Sequence, residues 1–134
     1  MRILALDWGT VRIGAAISDE SETIATPFEK PIDPKHAIQE IKEITERYDI
    51  GLIVLGYPKT LSNQESKSTK SVEVFRKKVE ELGVKIELAD ERLSSILATQ
   101  RLSEQELSSK ASREIKDNLT AQIFLEEYLK NKSK

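Results

Sequence analysis

The sequence predicts an α/β fold: a mixed five-stranded sheet with helices on both faces, its elements running β-β-β-α-β-α-β-α. Three observations carry this reading. An apolar run from Ile3 to Leu6 is followed by Trp8-Gly9-Thr10 and a second run from Arg12 to Ile17, which is the pattern of a β-hairpin. Gly51-Leu52-Ile53-Val54-Leu55-Gly56 is continuously apolar, as expected of a parallel strand covered on both faces. Three later stretches have helical spacing, and parallel strands need such crossovers between them.

Taken in order, the hairpin is followed by a third strand within Glu22 to Lys30, where Pro27 marks an edge or an end. Asp33 caps a helix with Pro34 at its first position, and Ala37, Ile41, Ile44 and Tyr48 share one face of it. The strand from Gly51 to Gly56 runs into Tyr57-Pro58 and a polar loop from Lys59 to Ser71. Val72, Phe75, Val79 and Leu82 then mark a second helix that Gly83 ends. Val84, Ile86 and Leu88 alternate with Lys85 and Glu87 as in a half-buried edge strand, which arrives at Asp90-Glu91-Arg92. Ser94 or Ser95 caps a short helix through Leu102, and Ser103 to Ser112 reads as a connection. In the last helix, Ser112 to Lys130, a stripe of Asp117, Ala121, Phe124 and Tyr128 sets an acid in line with apolar residues.

The 134 residues fit one domain, 1–134, large enough to fold around one core. There is no Cys, which excludes disulfides, thiolate zinc sites and cysteine nucleophiles, and His36 is the only histidine. Carboxylates are therefore the remaining catalytic groups. No apolar run of membrane-spanning length and no signal peptide are found, so the expected location is cytoplasmic, with no membrane partner. A net charge of −2 argues against non-specific wrapping of nucleic acid and leaves room for local basic patches.

Asp7 ends the first strand, Asp90 and Glu91 end the fifth, and Asp117 lies near the start of the last helix. An ionised carboxylate at the end of a buried strand is costly unless donors or a cation compensate it. A turn-capping Asp and a metal ligand are both consistent with Asp7.

Leu-Ala-Leu-Asp7-Trp-Gly-Thr10-Val-Arg12-Ile-Gly14-Ala-Ala-Ile-Ser18-Asp19, Val54-Leu-Gly56-Tyr-Pro58, Asp90-Glu91-Arg92-Leu93-Ser94 and Asp117-Asn-Leu-Thr-Ala121 together resemble the bacterial Holliday-junction-resolvase-like family of pre-16S ribosomal RNA nucleases. The resemblance covers nearly the whole chain. It implies a ribonuclease H-like fold and carries catalytic and metal-binding roles to Asp7, Glu91 and Asp117. It further implies hydrolysis of phosphodiesters with Mg²⁺ or Mn²⁺, two ions being expected, for which oxygen ligands are suited. Asp7 is expected to bridge the ions, and Asp90 either orients Arg92 or is a turn residue. Thr10, Arg12, Gly56, Pro58, Lys67, Arg92 and Lys110 are the expected nucleic-acid contacts. Two departures stand out: Tyr57 replaces the family's usual Leu in a loop that lacks its Gly, and the segment before Asp117 lacks the family's basic stretch, for which Lys110 stands in.

Other readings compete residue by residue. Lys67, Lys70, Arg76, Lys77 and Lys78 form either a phosphate patch or, as favoured for most of them, a solvated helix face. Trp8 either stacks on a base or, more commonly for an aromatic beside a hairpin, packs. The expected partner is structured RNA, branched DNA or a pre-ribosomal particle, bound by a monomer or a homodimer; cutting both strands of a junction requires the dimer. A non-catalytic nucleic-acid-binding module is an alternative. So is a fragment of an actin-like ATPase, since Asp-x-Gly-Thr also opens the phosphate hairpin of that family, although such proteins need two domains of this kind.

Overall fold

The computed structural model describes residues 1–8, 12–57, 67–90 and 109–132, with backbone alone at 57, 67–72, 89–90, 109–117 and 131–132. Five strands, β1 (Arg2–Asp7), β2 (Gly14–Ser18), β3 (Ala25–Pro27), β4 (Ile50–Tyr57) and β5 (Lys85–Asp90), form one sheet in the order β3-β2-β1-β4-β5. β1 is central, antiparallel to β2 and parallel to β4; β2 and β3 are antiparallel, β4 and β5 parallel. The mixed sheet agrees with the order read from the sequence.

Both faces of the central strands are covered, and this is why their sequences are continuously apolar from Ile3 to Leu6 and from Leu52 to Leu55. Alternation along β1 sends Leu4 and Leu6 to one side and Ile3 and Ala5 to the other. Leu4, Leu6, Ile53 and Leu55 pack with Ile41 of α1 (Ala37–Arg47) and with Phe75 and Val79 of α2 (Lys67–Glu80). Ile3, Ala5, Ala16 and Val54 pack with Ala121, Phe124, Leu125 and Leu129 of α3 (Ser109–Lys132). Among the described residues no helix is long and apolar enough to cross a membrane.

Local chemistry sets the boundaries, and several details differ from expectation; Lys67 to Ser71, read as loop, already belong to α2. The third strand shrinks to Ala25–Pro27 because the Asp19 carboxylate accepts from the Thr23 and Ile24 amides, at 2.8 and 3.0 Å, and draws both into a turn. Those bonds, the one from Ile24 foremost, hold the Asp19 carboxyl below the usual carboxylate range, and Ile24 is left 62% exposed. The first turn of the first helix is a 3₁₀ segment, Pro34–His36, capped by Asp33, whose carboxylate accepts from the Lys35 amide at 2.9 Å. Leu88 points out, 42% exposed, since an edge strand has a neighbour on one side only. Finally, Ser109 to Ala111, read as part of a connection, already belong to α3. The expected short helix from Ser94 to Leu102 lies outside the described residues. Gly83, at φ +81°, ends α2 as expected, with its amide donating to the Glu80 carbonyl.

Tyr128 ties α3 to the edge strand by donating to the Glu87 carboxylate at 2.5 Å. Desolvation, reinforced by that bond and the Glu87 charge, pushes the phenol up to about 12. A pKa raised on folding stabilises the protein fully below the unfolded value near 10, and this contribution disappears as pH rises from about 10 to 12. Thermal unfolding followed across this range should show a decline that Tyr128→Phe removes. At pH 7 the same substitution should cost about 1 kcal/mol.

Candidate nuclease site at the carboxyl end of the central strand

Asp7 is the last residue of β1 and is half-buried. Its partner on β2 is Gly14 and its partner on β4 is Gly56. Neither neighbour has a side chain, so the carboxylate is approached from both adjacent strands without a Cβ beside it. By alternation Asp7 shares the α3 side of the sheet with Ile3 and Ala5. One strand further on, Asp90 pairs with Tyr57, one step beyond the Gly56–Ala89 pair, so the acid that ends β5 reaches the same edge of the sheet as Asp7.

Asn118 brings α3 to this edge, and sequence reasoning missed its role. Pro27 ends β3, yet the Phe28 amide still donates to the Ala15 carbonyl at 3.0 Å. The reciprocal bond, from the Ala15 amide to the Phe28 carbonyl, is replaced by the Asn118 side chain. Its Oδ1 accepts from the Ala15 amide at 2.9 Å and its Nδ2 donates to the Phe28 carbonyl at 2.7 Å. Asn118 is buried, and Ala15 lies beside Gly14, the partner of Asp7. The backbone of Asp117, one residue earlier, is therefore held close to the same strand end; its side chain is outside the described residues. The signal was a polar residue three and seven positions before Ala121 and Leu125 on the buried face of a helix.

Of the remaining predicted residues, Arg12 is half-buried just before β2, and Lys67 and Lys110 lie in the first turns of α2 and α3 as backbone alone. Thr10, Pro58, Glu91 and Arg92 lie outside the described residues. Among the described residues no three acidic or histidine side chains gather into a metal site, and Asp7 is the one member of the predicted trio whose side chain is described. Lys77 and Lys78 are exposed, while Arg76 pairs with Glu73 at 3.7 Å and with Glu80 at 3.2 Å, as on a solvated helix face. Trp8 packs against the α1/α2 core and stacks on Phe75, with ring centroids 4.6 Å apart.

Residues 1–131 match the family model described as RuvX: Holliday junction resolvase. The chain belongs to the RuvX family. Among its relatives is a Mycoplasma mobile protein that carries the name "Putative pre-16S rRNA nuclease"; it is 40% identical over 136 residues, covering 98% of this chain and 93% of the relative. The RuvX chain also has the ribonuclease H-like fold of solved resolvases. It aligns with the fowlpox virus resolvase bound to Holliday junction DNA over 100% of both chains, with a TM-score of 0.59 and 16% identity. It aligns with Thermus thermophilus RuvC in complex with a Holliday junction substrate over 90% of this chain and 91% of the other, at 0.55 and 12%. At such identities the likeness is one of fold, and it agrees with the sheet order given above.

Proposed function

We propose that this RuvX chain is a metal-dependent nuclease that hydrolyses phosphodiester bonds in structured RNA, with the precursor of 16S ribosomal RNA as its substrate. The observation that carries the reading is the position of Asp7: the end of the central strand, paired with Gly14 and Gly56, on the edge that Asp90 and the backbone of Asp117 also reach. A carboxylate at a strand end whose partners on both adjacent strands are glycines suits a charged ligand approaching end-on. The relatives' name supplies the RNA class.

Asp7, Glu91 and Asp117 are the residues that would hold two Mg²⁺ or Mn²⁺ ions. The donor chemistry fits, because this chain offers oxygen ligands, no thiolate and a single histidine. Bound ions supply Lewis acidity at the phosphate and lower the pKa of water. The chain's own residues do the rest. Asp7 fixes where the reacting phosphate sits relative to the sheet edge. Gly14 and Gly56 admit the phosphate beside it. Asn118 sets the register of α3 and so positions Asp117. Arg12, Lys67, Arg92 and Lys110, with Thr10 and Pro58, neutralise and orient the flanking phosphates. The setting of the reaction is the cytoplasm, on a pre-ribosomal particle that adds contacts this acidic chain lacks.

The test is cleavage of end-labelled single-stranded RNA, RNA duplex, RNA–DNA hybrid and a four-way DNA junction, with and without Mg²⁺ or Mn²⁺. RNA cleavage that requires metal is the expected result. Preference for the junction, by a protein that sediments as a dimer, would replace RNA processing with junction resolution. No metal-dependent cleavage of any substrate would favour a binding module.

A further inference from the structure

Asp7 and Trp8 are consecutive, about 3.8 Å apart along the backbone, and their side chains leave opposite faces of the same strand end. Asp7 lies on the α3 side. On the other side a cleft of about 470 Å³ opens between the start of the first helix and α2, lined by Trp8, Ile38, Val74 and Phe75 with Lys35 and Lys78 at its rim. That volume is in the range of small-ligand pockets. Val74 stands 56% exposed at the cleft, and both lysines are exposed. Among the described residues no acidic side chain lines it.

The composition of the cleft selects one occupant. An aliphatic ligand would use the apolar walls but not the two cations; a free anion would use the cations but not the walls. An unpaired nucleotide uses both, since its base offers a flat apolar face and its phosphates offer charge. Trp8 itself fits that purpose better than it fits simple packing. Its Nε1 is buried and finds no acceptor among the described residues, a cost that a phenyl ring stacked on Phe75 would not carry. The wider indole face is the one on which bases stack most strongly.

We propose that this cleft is a subsite for one unpaired base of the nucleic-acid substrate, seated against Trp8, Ile38 and Val74 beside the Trp8–Phe75 stack, with the adjoining phosphates on Lys35 and Lys78. It rests on the nuclease reading and extends it: the strand crosses the sheet edge with its reacting phosphate at Asp7 and a neighbouring base on the far face. The enzyme would then select single-stranded or frayed ends over continuous duplex.

Trp8 is the only tryptophan of the chain, so its fluorescence reports on the cleft directly. The experiment titrates the wild-type protein in EDTA, at about 50 mM salt to retain phosphate contacts, with fluorescein-labelled single-stranded RNA and DNA hexamers, a hexamer of abasic residues and a blunt duplex. Indole emission and fluorescein anisotropy are read together. Both single strands should quench Trp8 saturably with the midpoint given by anisotropy. The abasic strand should bind about tenfold more weakly without quenching, in line with the contribution of one stacked base. Lys35→Ala and Lys78→Ala should each weaken single-strand binding severalfold and reduce the salt slope by about one, with unfolding temperatures unchanged.

Anisotropy without quenching, or absence of binding by every nucleic acid, would overturn the subsite; the nuclease reading is decided separately by the cleavage assay with metal. Equal quenching by duplex would remove the requirement for an unpaired base. A change in Trp8 emission with protein concentration alone would assign the cleft to a second copy of the chain.

Discussion

Asp7→Asn is expected to lower metal-dependent cleavage at least about 1000-fold while leaving the folded state intact. The size follows from charge. Converting a carboxylate ligand to an amide removes the negative charge that holds a divalent ion, and the stabilisation such ions give a phosphoryl transition state is several kcal/mol, of which about 4 kcal/mol is a factor of 1000. Stability moves little, because Asn keeps the shape of Asp and Asp7 is only half-buried at the end of its strand. A small rise in melting temperature would fit the removal of a charge set in the sheet for catalysis rather than for folding. Metal supplies a readout independent of turnover: Mg²⁺ should raise the melting temperature of the wild type by mass action and that of Asp7→Asn much less. Cleavage at wild-type rates by the variant would remove Asp7 from the reaction.

Asn118→Ala should be the most destabilising substitution of a polar residue, costing about 3 kcal/mol and about 10 °C of melting temperature for a domain of this size. It strips partners from two backbone groups at once, the Ala15 amide and the Phe28 carbonyl. Asn118→Asp separates the two bonds. A carboxylate still accepts from the Ala15 amide but faces the Phe28 carbonyl as a second acceptor. Protonating it restores a donor, so the introduced carboxyl has its pKa raised on folding. This variant should be least stable at neutral pH and gain stability as pH falls through that raised value, opposite in sign to the usual acid effect. Activity should fall further than stability, since the amide that joins β2 to β3 also holds the segment carrying Asp117. Chemical denaturation of the three proteins at pH 5 and pH 8 checks this.

The architecture was legible in the sequence because its signals are periodic. Continuous apolar residues from Ile53 to Leu55 announced coverage on both faces, and the spacing Ala37–Ile41–Ile44–Tyr48 announced the face of a helix. Boundaries were less legible where a single side chain redirects the backbone, as the Asp19 carboxylate does in shortening the third strand. At the candidate site the acid at a strand end stood out, since a charge there needs a reason. Asn118 did not, because its importance lies in two backbone groups, those of Ala15 and Phe28, that are distant from it in sequence and bond to it rather than to each other. Polar residues that repair a ladder leave no periodic trace. Neither does the cleft beside Trp8, which exists only once residues 34 to 38 and 74 to 78 have been brought together around it.

The two sides of the sheet are completed at different times during synthesis. Leu4, Leu6, Ile53 and Leu55 find their cover once α1 and α2 have emerged. The opposite side, Ile3, Ala5, Ala16 and Val54, waits for α3, and the bond from Ala15 to Asn118 closes a separation of 103 residues. Until Leu129 is free of the ribosome, the nascent chain carries a half-covered sheet with an apolar surface turned to solvent, the kind of intermediate that aggregates or recruits a chaperone. The last helix to be made is the one that both seals the core and delivers Asp117. A chain interrupted before it lacks at once the cover of this face and the segment that carries Asp117.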